Sequence, residues 1–148
     1  MKNNISKNLS RLAAIQSFFQ SIFIEKSLNL IANEFNKFRL KKPLDIDNVN
    51  LKYDKNYFEK LISYIENFHI DHDINSFFSN YINTKRPYSR LDKITQSILI
   101  VASSEILYKN NVKKKIIIND YIDIAKSFLD KPQVSMVNAV LDKIYESK

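Results

Sequence analysis

Residues 115–143 read KIIINDYIDIAKSFLDKPQVSMVNAVLDK, and this stretch decides the fold of the chain. At 3.6 residues per turn, its first half places polar side chains on one arc and apolar side chains on the rest of the circumference. Such a helix is buried on most of its surface, so we expect it to be central. Pro132 lacks an amide hydrogen and suits the first turn of a helix, which predicts a break at Lys131 and a new helix after it. The chain therefore ends in a helical hairpin with one central leg.

The composition limits the fold and the chemistry. The 148 residues suit a single domain, and 45% of them are hydrophobic. Glycine and cysteine are absent, which argues against glycine-rich nucleotide loops, tight hairpin turns, disulfides and thiolate chemistry. No apolar run reaches membrane-spanning length and no signal-peptide core is visible, so we expect a cytoplasmic all-α protein without a membrane anchor or cofactor.

The formal net charge is +7, which favours an anionic partner such as nucleic acid. An alternative explanation is codon bias, because lysine, asparagine and isoleucine are all encoded by AT-rich codons. Charge alone leaves both explanations open.

Amphipathic periodicity predicts seven helices joined by short connections. Asp71 and Ser89 are the expected N-caps of the fourth and fifth helices, and residues 39–50 form the longest predicted loop. Five helices precede the C-terminal hairpin, at about residues 6–23, 28–38, 55–68, 71–83 and 89–108.

The most enzyme-like cluster is His69, Asp71, His72 and Asp73, because histidine and carboxylate side chains bind zinc and transfer protons. It lies at a helix break, where aspartate is expected as a cap, so we interpret it as structural and predict no enzymatic activity and no metal. The same interpretation applies to Ser103 and Ser104, which lack a glycine-framed turn, and to Asp120, Asp123 and Asp130 on a polar helix arc.

Asn138 stands among apolar residues in VSMVNAVL. A buried amide needs hydrogen-bond partners. We therefore expect Asn138, and Asn119 on the preceding helix, to bond backbone groups where the two helices approach.

Several segments resemble the NusB family of bacterial transcription antitermination factors. The resemblance rests on IIINDYIDIAKSF after Val112–Lys115 and on VNAVLDKI in the last helix. RLAAIQSFFQ, Tyr57–Phe58 and the segment from Arg90 to Leu107 match the family's first, third and fifth helices. The matches follow the family's order over nearly the whole chain.

The resemblance implies one RNA-binding domain over residues 1–148, with an all-α fold of two small helical bundles and no catalysis. It implies binding of boxA leader RNA of ribosomal RNA operons. It also implies two protein partners, which are the NusE-type small-subunit ribosomal protein and the RNA polymerase antitermination complex.

In the family, an arginine-rich N-terminus and the start of the last helix face RNA. Asn8 and Leu9 stand where further arginines are usual, and Met136 replaces a frequent phenylalanine, so weaker RNA binding is expected. Carried over to this sequence, the RNA-facing residues are Lys2, Lys7, Arg11, Phe19, Lys131, Gln133 and Met136.

Two alternatives remain. One is a helical module on the same scaffold that binds only proteins. The other is the NusB-like N-terminal domain of an rRNA cytosine methyltransferase, which needs a further catalytic domain with a cofactor loop and a cysteine nucleophile. The sequence contains no cysteine, so this second alternative applies only to a truncated chain.

Overall fold

The computed structural model describes residues 2–39, 44–46, 49–83 and 85–148, and in these ranges the prediction of an all-α fold is confirmed. One correction concerns residues 39–50, which were predicted to be a loop. There β1 (Leu44–Ile46) pairs antiparallel with β2 (Val49–Leu51), while residues 40–43, 47 and 48 of the predicted loop lie outside the described residues. The seven helices of the described ranges are α1 (Lys2–Phe23), α2 (Leu28–Glu34), α3 (Lys55–Asp71), α4 (Ile74–Ser79), α5 (Lys93–Tyr108), α6 (Lys114–Lys126) and α7 (Lys131–Glu146).

The chain divides into two compact units, Met1–Ser63 and Tyr64–Lys148, with the division inside α3. In the first unit α1 packs against α2 and β2, and a π-helical turn, Phe35–Arg39, follows α2. In the second unit α5, α6 and α7 pack against one another, and a 3-10 turn, Tyr88–Arg90, precedes α5. No helix in the described ranges is long and apolar enough to cross a membrane.

The central helix of the second unit is α5, and the prediction that residues 115–130 form it was wrong. Every residue from Ser97 to Ile106 is buried, whereas Ile116 of α6 and Phe128, which follows that helix, are exposed. Two serines of α5, Ser97 and Ser104, help to explain the error, because they are small and satisfy their hydroxyls within the helix. Ser104 Oγ, for example, donates to a backbone carbonyl one turn back at 2.6 Å.

Three aspartates begin helices of the second unit. Asp73 caps α4, Asp92 caps α5, and Asp130 caps α7. The α7 cap is a capping box, in which Asp130 accepts from the Gln133 amide while the Gln133 side chain accepts from the Asp130 amide. These carboxylates satisfy backbone amides that have no partner within the helix.

The predicted N-caps Asp71 and Ser89 were wrong. Asp71 is the last residue of α3, and its carboxylate accepts a hydrogen bond from Tyr108 Oη at 2.6 Å. Ser89 lies in the 3-10 turn before α5. In both places an aspartate further along the chain caps the helix. α3 continues to Asp71, and a 3-10 turn precedes α5, so each helix begins a few residues later than predicted.

Asn119 and Asn138 are both exposed, so the prediction that they are buried amides between helices was wrong. The buried face of α7 consists of Val137, Val140, Leu141 and Ile144. Asn138 follows Val137 by one residue, and the helical rotation of about 100° turns its side chain away from that face.

Candidate nucleic-acid interface

The predicted RNA-facing residues fall into both units. Lys2, Lys7, Arg11 and Phe19 belong to α1 in the first unit, and Lys131, Gln133 and Met136 belong to α7 in the second. Lys2 is the first residue of α1, and its side chain lies outside the described part of the chain.

Positive charge is concentrated in the first unit. Residues 1–63 contain eleven lysines and arginines against six aspartates and glutamates. Residues 64–148 contain twelve against ten. The unit that contains α1 is therefore the more attractive of the two to a polyanion.

Two cations of α1 meet on one aromatic ring. The Lys7 ammonium nitrogen lies 5.4 Å from the centroid of the Tyr57 ring, and the Arg11 guanidinium carbon lies 5.2 Å from it. Both distances are within the range of cation–π attraction. We call Lys7, Arg11 and Tyr57 the Tyr57 junction.

Arg11 is held inside the protein. Its side chain is only 4% exposed, and Nη2 donates to the Tyr57 hydroxyl at 2.9 Å while Nη1 donates to Asn8 Oδ1 at 2.6 Å. A guanidinium that is buried in this way cannot contact RNA directly and can act on it only through neighbouring residues. Arg11, which the resemblance placed at the RNA-facing edge, therefore sits beneath that edge.

Hydrogen bonds between side chains and the backbone fix the two helices of the junction. The Ser10 hydroxyl donates to the Asp54 carbonyl at 2.7 Å and accepts from the Asp54 amide at 2.9 Å. Asp54 Oδ1 in turn accepts from the Tyr57 amide at 3.0 Å, so Asp54 also caps the start of α3. Ser10 is fully buried, and these bonds hold Tyr57 in place against α1.

Lys7 is the solvent-facing cation of the junction. Its side chain is partly exposed, and no carboxylate in the described ranges forms an ion pair with it. Its charge is therefore available to an anion.

The aromatic residue predicted to face RNA, Phe19, is partly buried. Its ring stacks on Phe23 with a centroid distance of 5.8 Å and an interplanar angle of 14°. Phe23 is 64% exposed and therefore offers the more accessible aromatic face. The i, i+4 spacing of the two rings in the sequence could have indicated this pair.

At the start of α7, Lys131 is exposed, whereas the Gln133 side chain is partly buried and hydrogen-bonded. Besides its place in the capping box, Gln133 Nε2 donates to Asp92 Oδ1 at 3.1 Å, which ties the N-terminus of α7 to that of α5. Gln133 thus has a clear structural role here.

Met136 lines a cleft of about 310 Å³ in the second unit. Most of its walls are apolar, and two exposed cations, Arg86 and Lys143, belong to the lining. Sequence reasoning missed this cleft because the residues before α5 read only as a connector around Pro87. Its other lining residues are Tyr81, Ile82, Asn83, Leu91, Pro132, Gln133, Ala139 and Val140.

The cluster of His69, Asp71, His72 and Asp73 makes structural contacts. His69 Nδ1 lies 2.8 Å from a carbonyl of α3, and His72 packs on two phenylalanine rings. Hydrogen bonds from Ser76 lower the pKa of the Asp73 carboxyl below its usual value. Within the described ranges, no group of three or more histidine, aspartate or glutamate side chains could hold a metal ion.

The chain is similar to known proteins of the NusB family. The model of the NusB family matches residues 8–146. The chain is 29% identical over 138 residues to the transcription antitermination protein NusB of Bartonella tribocorum, with 93% of this chain and 86% of that protein covered. It is 28% identical over 144 residues to the protein of the same name from Rhizobium meliloti, with coverage of 97% and 88%.

A solved structure agrees with these relatives. T. maritima NusB superimposes with a TM-score of 0.73 at 25% sequence identity, and the match covers 95% of this chain and 90% of that one. The similarity therefore includes both units of the chain.

Proposed function

Because this chain belongs to the NusB family of transcription antitermination proteins, we propose that it binds the boxA leader RNA of ribosomal RNA operons together with the NusE-type ribosomal protein. The observation that carries the proposal is the family match over residues 8–146, which includes Arg11 and Tyr57 of the Tyr57 junction and the start of α7. In this role the protein acts in the cytoplasm as part of an RNA polymerase antitermination complex. It contributes binding and no catalysis.

In the first unit, the RNA contacts that we propose are phosphate contacts from Lys7 and from Lys2 at the start of α1. Phosphate neutralisation by lysine supplies affinity without base specificity. The stacked pair of Phe19 and Phe23 provides an aromatic surface, and bases of single-stranded RNA stack on such surfaces.

In the second unit, Lys131 supplies a further phosphate contact, and the cleft beside Met136 receives an unstacked base. Arg86 and Lys143 in the cleft lining suit a nucleotide, because they place positive charge beside apolar walls. Gln133 keeps its capping role and meets RNA only at the edge of this cleft.

Fluorescence anisotropy with labelled boxA RNA tests the proposal. Binding is measured against a scrambled RNA of equal length, at several salt concentrations, with and without the NusE-type protein. We expect preference for boxA and tighter binding in the presence of the partner. Equal affinity for both RNAs in the presence of the partner would overturn the proposal.

Substitution of single lysines locates the phosphate contacts. Lys7→Gln and Lys131→Gln should each weaken binding and reduce the slope of log K against log salt by about one. Lys26→Gln is the matched control, because Lys26 is an exposed lysine of the first unit outside the proposed contacts. Equal effects of Lys7→Gln and Lys26→Gln would show that RNA binds by overall charge and not at this site.

A second candidate function is a helical module that binds only proteins. The burial of Arg11 and the capping role of Gln133 favour it, because both remove polar groups from the RNA-facing surfaces. The same titration separates the two functions. A chain that binds the NusE-type protein but neither RNA, with or without that partner, is a protein-binding module.

A further inference from the structure

We propose that Tyr57 is a positioning residue for RNA binding, whose ring holds the Lys7 ammonium where it meets a phosphate. This inference rests on the proposed function, since it concerns how the same surface binds RNA. In the sequence, Tyr57 stands out only through the match of Tyr57–Phe58 to the family's third helix. The structure assigns it a role through its contacts with α1.

The ring itself is firmly held. Tyr57 is only 8% exposed, its amide donates to Asp54 Oδ1 at 3.0 Å, and its hydroxyl accepts from Arg11 Nη2 at 2.9 Å. The ring is therefore fixed at both ends, through its backbone and through its hydroxyl. An ammonium group that rests on such a ring has fewer conformations to lose when a phosphate binds.

The second cation strengthens the argument for an anionic ligand. Lys7 and Arg11 are four residues apart on one helix, and both approach the same ring. Like charges at this spacing repel each other. Arg11 is buried and hydrogen-bonded, so its charge stays in place and adds to the positive potential at Lys7. A phosphate bound at Lys7 relieves this repulsion, and a neutral ligand does not.

A double-mutant cycle tests the inference. We compare the wild-type protein, Tyr57→Leu, Lys7→Gln and the double variant by boxA RNA titration at several salt concentrations. Tyr57→Leu should weaken binding by about 2- to 5-fold, which corresponds to the loss of one exposed cation–π contact. In the Lys7→Gln background, the same substitution should change the affinity by less than about 2-fold, because its effect acts through Lys7.

Two further variants separate positioning from general stability. Tyr57→Phe keeps the ring beneath Lys7 and loses only the hydroxyl, so its RNA affinity should stay within about 2-fold of the wild type, as the ring supplies the attraction. Tyr53→Leu is the matched control, because Tyr53 packs on Phe58 in the same unit and bonds Asn36. Its effect on RNA affinity should be the same in the wild-type and Lys7→Gln backgrounds.

A measurement on the wild-type protein covers the case in which Tyr57→Leu does not fold. The Lys7 Hε protons should show an upfield ring-current shift in the NMR spectrum and should move when boxA RNA is added. Absence of that shift would overturn the inference, whatever the variants do.

The outcomes distinguish the two proposals. If wild-type protein binds neither RNA, the proposed function fails, and this inference fails with it. If wild-type protein prefers boxA and Lys7→Gln weakens binding, but Tyr57→Leu weakens binding equally in both backgrounds, only the role of Tyr57 is refuted. If binding persists and the cycle is non-additive, Tyr57 acts through Lys7.

Discussion

Ser103 and Ser104 are adjacent in α5, and they should respond in opposite ways to substitution by alanine. Both are fully buried. Ser104 Oγ donates to the Ile100 carbonyl at 2.6 Å, whereas Ser103 Oγ has no hydrogen-bond partner among the described residues. A buried hydroxyl without a partner destabilises the folded state by about 1–3 kcal/mol.

The expected magnitude for Ser103→Ala follows from three contributions. Removal of the unpaired hydroxyl recovers its desolvation cost, and alanine gains about 0.5 kcal/mol from its higher helix propensity. The lost packing of the oxygen atom offsets about 1 kcal/mol. We therefore expect the free energy of unfolding to rise by about 1 kcal/mol. For Ser104→Ala we expect it to fall by about 1 kcal/mol, because a satisfied hydrogen bond is lost along with similar packing.

Thermal unfolding followed by circular dichroism at 222 nm measures both variants. For a chain of this length, 1 kcal/mol corresponds to a change of about 2–4 °C in Tm. Urea unfolding provides an independent value of the same difference, and equal m values confirm that both variants lose the same structure. The reasoning is refuted if Ser103→Ala destabilises the protein as much as Ser104→Ala, because the Ser103 hydroxyl then contributes to stability in the folded state.

The remaining predictions concern side chains of the second unit. Tyr121→Phe removes the 2.6 Å hydrogen bond from the phenol to the fully buried Glu105 carboxyl group. It should lower the free energy of unfolding, measured by urea denaturation, by about 2 kcal/mol. An unchanged urea midpoint would show that Glu105 does not depend on this bond. Asp130→Ala removes the α7 cap and should cost about 1 kcal/mol, whereas Asp130→Asn should cost less because asparagine also caps helices; equal losses would refute the capping role. The hydrogen bonds from Ser76 lower the pKa of the Asp73 carboxyl group below its usual value of 3.8. The carboxylate therefore stabilises the folded state at neutral pH. This stabilisation is lost as the pH falls from 3.8 through the lowered pKa of the folded state. The Tm difference between wild type and Asp73→Asn should therefore be constant near neutral pH and shrink in acid, and a difference that grows in acid would contradict it.

The helical content and the order of the helices follow from local sequence. Periodic apolar residues, the absence of glycine and Pro132 predict helices and their breaks, because each of these signals acts through neighbouring residues on the chain. The family resemblance was visible in the same segments, and the match over residues 8–146 confirms it. The hairpin of β1 and β2 was missed because each strand has only three residues, which is too short for an alternating pattern to stand out.

The candidate site was only partly predictable. Lys7 and Lys131 were predicted from charge and resemblance to face RNA, and the structure leaves both accessible to solvent. Phe23 was overlooked in favour of Phe19, because sequence periodicity places both rings on the apolar side of α1 without showing which one the core covers.

The sequence by itself determined the helical class, the helix order and the family. Only the tertiary structure decided that α5 is central, that Asn138 is exposed and that Arg11 is buried beneath Lys7. The physical reason is distance along the chain, since Arg11 bonds a tyrosine 46 residues away. Local periodicity shows which side of a helix is apolar, but the packing of distant segments decides which polar groups find partners there and which remain free to bind a ligand.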